Sequence, residues 1–322
     1  MQTAIRPAAV ALFLLAFCRP AAGEQQWSVY DTLSLGEASY YYNVASVYFS
    51  PLRDFTGSIA VGVSHTGTPV SDSGRSLGLG VSGAVGERMS ASLDYLGYSG
   101  YRAWVFDPAT MEIVGRSADR QSIHSLTAGA GLNVWEAEKG RQDPDALIGF
   151  FKLNGSVQFA SHTIPLWILR ATKKAEDWFK LGDYSVSDVA PSGGISVDFL
   201  GSIVGAAYTR HHYSFPDPPE TLNRLTADVL FNLVRTSVST ALSSLPQYES
   251  VISLTEPLAE DFRIRASGAY TKMATDRSIA RTVSGEVGLD ANPSFEVRAG
   301  SFWVRQYKET ARYTTLGVSI YF

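Results

Sequence analysis

Along almost the whole chain, apolar and polar residues alternate one by one. In residues 147–160, Phe151, Leu153, Val157 and Phe159 take one parity and Lys152, Asn154, Ser156 and Gln158 the other. In 222–233, Leu225, Ala227, Val229, Phe231 and Leu233 oppose Arg224, Thr226, Asp228 and Asn232. In 88–97, Met89, Ala91, Leu93 and Tyr95 oppose Ser90, Ser92 and Asp94. Successive side chains of a strand point to opposite faces, so each run needs one apolar and one polar environment. Gly, Pro, Asp, Asn and Ser break the runs where turns belong. A soluble sandwich satisfies this pattern with its apolar face inward, and a membrane barrel with its apolar face outward. Strand length favours the barrel: the runs are about 10–13 residues, against the roughly 9–11 that a tilted membrane-crossing strand needs. Composition agrees. Only 18% of the 322 residues are charged, below the roughly 25% of an average soluble domain.

Residues 1–23 read as a secretory signal peptide. Arg6 precedes an unbroken apolar run, AAVALFLLAF, and the small residues Ala21 and Gly23 stand before Glu24. That run is too short to span a bilayer, and no later stretch approaches the roughly 18 consecutive apolar residues of a membrane helix. The barrel domain is therefore expected over 24–322, after cleavage of the leader. The one cysteine rules out a disulfide scaffold or a multi-cysteine zinc site. A formal net charge of −4 argues against a nucleic-acid partner.

Aromatic residues cluster near strand ends: Trp27, Tyr40 to Tyr42, Tyr48, Phe49, Trp135, Trp303, Tyr321 and Phe322. Girdles at two membrane interfaces would place them there. The last run ends with Leu316, Val318, Ile320 and Phe322 in strict alternation. This resembles the C-terminal signature by which outer-membrane β-barrels are recognised by the barrel-assembly machinery. The predicted fold is all-β: an antiparallel transmembrane β-barrel of about 16 strands, with a range of about 12–18. Two of those strands fall at 222–233 and 235–244, and a long outer connection at 163–192. Within it, 165–181 has the spacing of a short amphipathic helix in an outer loop, folded inward as a constriction, and the alternative is a lipid-side strand at 164–171. Hidden strands at 100–117 and 163–171 would raise the number.

A barrel of this size leaves an aqueous lumen. Parity places Lys152, Arg224, Arg263, Arg265 and Arg298 inside, with Asp94, Asp228, Glu286 and Glu296. Arg263 and Arg265 lie two apart and so point the same way. Such a ladder can set anion preference or guide a sugar polymer, whereas balanced charges can also simply neutralise one another.

No P-loop, no HExxH and no dinucleotide-binding glycine pattern is present, and no cofactor is expected. Among the histidines, His212 lies two residues before Ser214, so the two share a face. The pair resembles the His-x-Ser of outer-membrane lipid hydrolases, where imidazole takes the serine proton. The chain departs from those enzymes at Phe215, where they carry Asn. The stretch SYYYNVASVYFSPLRDFTG (39–57) is similar in rhythm to barrels encoded with bacterial cellulose synthases, and the whole 24–322 region resembles porin-like outer-membrane proteins. These resemblances imply an outer-membrane channel or export conduit for small polar solutes or a polysaccharide, set in outer-membrane lipid. A non-conducting surface barrel, its lumen plugged by 163–192, is the alternative, and a lipid hydrolase the second.

Overall fold

A computed structural model describes residues 26–36, 40–52, 54–66, 72–107, 109–110, 112–136, 148–171, 176–214, 245–259, 261–274, 277–306 and 309–322. The alternating runs become β1 (Gln26–Gly36), β2 (Tyr41–Leu52), β3 (Phe55–Thr66), β4 (Asp72–Val85), β5 (Met89–Phe106), β6 (Ile113–Glu136), β7 (Ile148–Ala171) and β8 (Glu176–Phe199). They continue as β9 (Ser202–Arg210), β10 (His212–Ser214), β11 (Pro246–Ala259), β12 (Phe262–Met273), β13 (Ile279–Asn292), β14 (Phe295–Gln306) and β15 (Glu309–Tyr321). Each strand pairs antiparallel with its chain neighbour. β1 pairs with β15, and β9 pairs with both β8 and β11, so the sheet closes on itself. The three residues of β10 prolong β9 along β8 in unchanged register. The barrel therefore has 14 strands. Closure leaves no edge, which is what an all-β solution in lipid requires.

The number lies inside the expected range but below 16, for a definite reason. β9 pairs with β11 from Ile203 opposite Thr255 to Arg210 opposite Tyr248. The described wall closes through this pair, and the strands expected at 222–233 and 235–244 fall outside the described residues. The expected outer loop at 163–192 is instead a hairpin: β7 and β8 pair down to Ala171 opposite Glu176. Its apolar stretch is a strand and not a helix, but not a lipid-side one: Ile164, Leu166 and Ile168 are buried. Residues 100–106 and 113–117 likewise extend β5 and β6.

The two faces separate as the alternation demands. Leu79, Leu93, Ile252, Val283, Val297 and Leu316 stand exposed on the outside. Their sequence neighbours inside are Gly, Ser, Thr and charged residues, apart from Val251 beside Ile252. Aromatic rings cap this apolar wall at both levels. Trp27 and Phe49 meet at 5.6 Å on one rim, near Phe322. Tyr208, Tyr248 and Tyr270 form a row toward the other, each neighbouring pair 6.1 Å apart. On the Trp27 rim the β2–β3, β4–β5, β8–β9, β11–β12 and β13–β14 hairpins turn within two or three residues, whereas β6 and β7 are separated by 137–147, outside the described residues. Between β8 and β9 only Leu200 and Gly201 turn the chain, both at positive φ (53° and 84°), and Asp198 Oδ1 accepts the Gly201 N–H at 3.0 Å. That two-residue geometry matches the right-handed twist of the strands it joins.

β6, β7 and β8 have 24 residues each, twice the 12 of β2, β3 and β12. Together with β5 they project beyond the rim opposite Trp27 as an outer arm. Above Ser122, β6 leaves β7, and the tip of β5 pairs with β7 in parallel, Val105 opposite Trp167 and Phe106 opposite Ile168. The arm has its own apolar core, in which Phe106 and Ile168 are buried against Trp104 and Leu181.

Candidate functional site

The inward-facing half of each strand builds the site. On β4 to β9, small polar residues stand side by side: Ser82 opposite Ser92, Ser92 opposite Gly129, Gly129 opposite Ser156, and Ser156 opposite Ser192. Thr209 donates to Ser192 at 2.9 Å, and Ser267 meets Ser284 at 2.6 Å. Because these side chains are short, they leave a cavity of about 740 Å³, which Lys152 and Asn154 also line. Lys152 lies across Gly131, where a Cβ would meet its Cε.

The facing wall is charged. Arg265 donates to Glu286 at 2.7 Å and to Glu296 at 3.2 Å. Arg263 pairs with Asp290 and reaches Glu296 at 3.9 Å. Arg298 also reaches Glu296 at 3.9 Å and Thr32 Oγ1 at 3.5 Å. Glu296, only 2% exposed, is thus the hub of three guanidiniums. A buried carboxylate is tolerable only with such partners. The three arginines are balanced by Asp290, Glu286 and Glu296, so the wall is a ladder of paired charges and not a positive stripe.

Of the residues expected to line the lumen, Arg263, Arg265, Glu296 and Arg298 come together here. Lys152 stands apart in the hydroxyl-lined chamber. Arg224 and Asp228 lie outside the described residues. Asp290 keeps the parity of Glu286 but was not anticipated, because it is the last residue before the register shift that leads into the β13–β14 turn. The closing run is in place: Leu316, Val318 and Ile320 share the outward face of β15, Leu316 and Phe322 being well exposed.

Toward the outer rim the lumen turns apolar. Ile164, Leu166, Tyr184, Val186 and Leu245 bury one another, with Tyr213 and Leu181 against them. Just below, Asp188 Oδ2 meets His211 Nδ1 at 2.7 Å and Tyr213 donates to the Pro246 carbonyl at 2.8 Å. This settles the geometry of the histidine pair. His212 and Ser214 share an exposed outer face. The nearby carboxylate, Asp188, serves His211 on the other face, and among the described residues no acid orients His212.

A second ion cluster fastens the outer arm. Asp72 Oδ2 accepts from Arg116 Nη1 at 2.8 Å and the Arg102 N–H at 2.7 Å, while Oδ1 accepts the Ser73 N–H at 2.8 Å. Burial works against its charge, but the two N–H groups and Arg116 outweigh it and hold the carboxyl below its usual range. Lys180 bridges Asp119 at 2.7 Å and Asp183 at 2.9 Å, and these partners raise its ammonium above the usual lysine range.

No protein-family model and no curated protein sequence matches the chain. Solved structures with a similar course exist. The Pseudomonas putida toluene transporter TodX aligns at 12% identity over 94% of this chain and 89% of its own, with a TM-score of 0.46. The NanC porin aligns at 7% identity over 91% and 98%, at 0.40. The KdgM porin aligns at 9% over the same shares, at 0.38. The assignment rests on this chain's own pairing and sidedness. A closed antiparallel sheet of even strand number, apolar outside and polar inside, is a transmembrane β-barrel of the outer-membrane type.

Proposed function

We propose that the protein is an outer-membrane channel that passes small polar solutes or short polysaccharide segments. The hydroxyl-lined chamber carries this reading: a barrel that served only as an anchor would fill its interior with side chains. The leader at 1–23 and the closing run Leu316 to Phe322 supply the export and assembly signals such a protein needs. The paired-charge wall gives a lumen that is polar without strong preference for either ion.

Single-channel current from refolded protein in a planar bilayer tests this, with reversal potentials in a salt gradient. Wild type is expected to show stable steps with weak ion selectivity. Glu296→Gln leaves three guanidiniums with two carboxylates and shifts the preference toward anions. An unchanged reversal potential in that variant would remove the charged wall from the conduction path.

The apolar cluster at the outer rim favours a second reading, a barrel at rest in a closed state. Silent wild-type protein that conducts once Leu166 is changed to Ser would establish it.

A further inference from the structure

Three tyrosines meet inside the barrel at the Trp27 rim. Tyr30, Tyr48 and Tyr321 come from β1, β2 and β15, and Ser28 pairs with both Tyr48 and Tyr321. Tyr30 stands edge-on to Tyr48 at 5.1 Å and to Tyr321 at 5.9 Å. Tyr48 points inward with Ser46 and Ser50, yet remains 40% exposed. The three line a cavity of about 580 Å³ with the hydroxyls of Ser28, Ser50, Thr56 and Ser294, and Trp27, Pro293 and Phe322 complete its mouth. Thr56 also lines the hydroxyl-lined chamber, and Tyr321 also lines the recess that holds Arg263 and Asp290. The Tyr321 hydroxyl donates to Glu296 at 3.3 Å. The vestibule at the Trp27 rim thus sets an open aromatic face and a rim of hydroxyls beside the recess that holds Arg263 and Asp290.

These tyrosines do not anchor the barrel in lipid, because they face the lumen. An aromatic face held open to water inside a polar tube is unfavourable unless something covers it. The chemistry around it selects the cover. An apolar ligand would strand the Ser and Thr hydroxyls it displaced from water. An ionic ligand would have to break Arg263 and Arg265 from the carboxylates that already neutralise them. A sugar ring offers an apolar C–H face for the Tyr48 ring and equatorial hydroxyls for Ser28, Ser50, Thr56 and the Tyr321 hydroxyl, which Glu296 holds from behind. We propose that this vestibule is a binding site for a neutral saccharide, entered from the Trp27 rim. The opposite rim is narrowed by the Ile164–Leu245 cluster, so a ligand from the Trp27 side meets the tyrosines first.

The biological use of the site rests on the solute-passing reading, but binding does not require conduction. Full-chain protein refolded in detergent is titrated calorimetrically with cellohexaose and with a hexamer of glucuronic acid. Cellohexaose is expected to bind, Tyr48→Ala to weaken it roughly tenfold, and Tyr48→Phe to retain most of it. The outward Tyr208→Ala serves as control and leaves affinity unchanged. Absence of binding to folded wild type, or binding that Tyr48→Ala does not weaken, overturns the site. Tighter binding of the anionic hexamer overturns its neutral specificity. A barrel silent in the bilayer that still binds cellohexaose refutes conduction alone, and a conducting barrel that binds nothing refutes the vestibule alone.

Discussion

Asp72 shows how much one side chain can organise. Its carboxylate, 2% exposed, draws Arg116, Arg120 and Arg102 to within 2.8, 3.5 and 3.6 Å. Removing one partner of a buried ion pair costs about 3–5 kcal/mol, since the other charges stay behind. Asp72→Ala is therefore expected to loosen the outer arm while the barrel holds. Amide exchange in 100–106 and 113–120 should quicken and that of β12 to β15 should not. Equal protection in the arm would sink the idea. Acid should act in the same direction. The folded carboxyl titrates below its ordinary value of 3.8, so its stabilisation is complete above that value and is lost as pH falls through the folded one. Wild-type arm exchange should rise only below about pH 4, and Asp72→Ala should abolish that rise. The sequence hides this cluster, because Arg102 and Arg116 lie 30 and 44 residues away. The charged wall is more local: Arg263 and Arg265, and Glu296 and Arg298, lie two apart, so parity alone puts each pair on one face. Tyr48 and Tyr321 were read as girdle residues from their place near strand ends. Parity with Ser46 and Ser50 carried the better signal, and it points inward.

At the scale of the strand, sidedness is the property to test. Ile252 and Ser253 are neighbours on β11 with opposite surroundings, lipid for one and the chamber for the other. Ile252→Arg should cost about 2–4 kcal/mol at the depth of the apolar belt. Ser253→Arg should fold nearly as well and reduce single-channel current. Urea unfolding in lipid vesicles reads the first effect and the planar bilayer the second. Equal stability of the two variants would mean that the faces are misassigned. Alternation made β4, β13 and β15 legible because each lies between lipid and lumen. It fails in the upper half of β7, where Ile164 and Leu166 before a register shift, and Ile168 after it, are all buried. There the strand belongs to the arm, not the membrane. Apolar residues serve both faces, the period of two is lost, and the spacing mimics a helix.

At the scale of the whole molecule, closure decides the strand number, and closure cannot be read locally. Residues 222–233 alternate as well as any barrel strand, so sequence alone admits them to the wall. The described wall closes without them, through the pairing of β9 with β11. The ends of the intervening stretch already lie close together: His211 donates to the Gln247 carbonyl at 2.9 Å, and Tyr213 to that of Pro246. Closing so short a gap needs only a few residues. Replacing 215–244 with a four-residue Gly/Ser linker should therefore leave a folded barrel. It should keep heat-modifiable gel mobility and a β-rich circular dichroism spectrum. A 16-strand barrel would behave oppositely, because deleting two wall strands destroys the register of every pair across the gap. Loss of the folded form in the deletion variant would overturn the 14-strand closure, and with it the hydroxyl-lined chamber that the β9–β11 pairing helps to enclose.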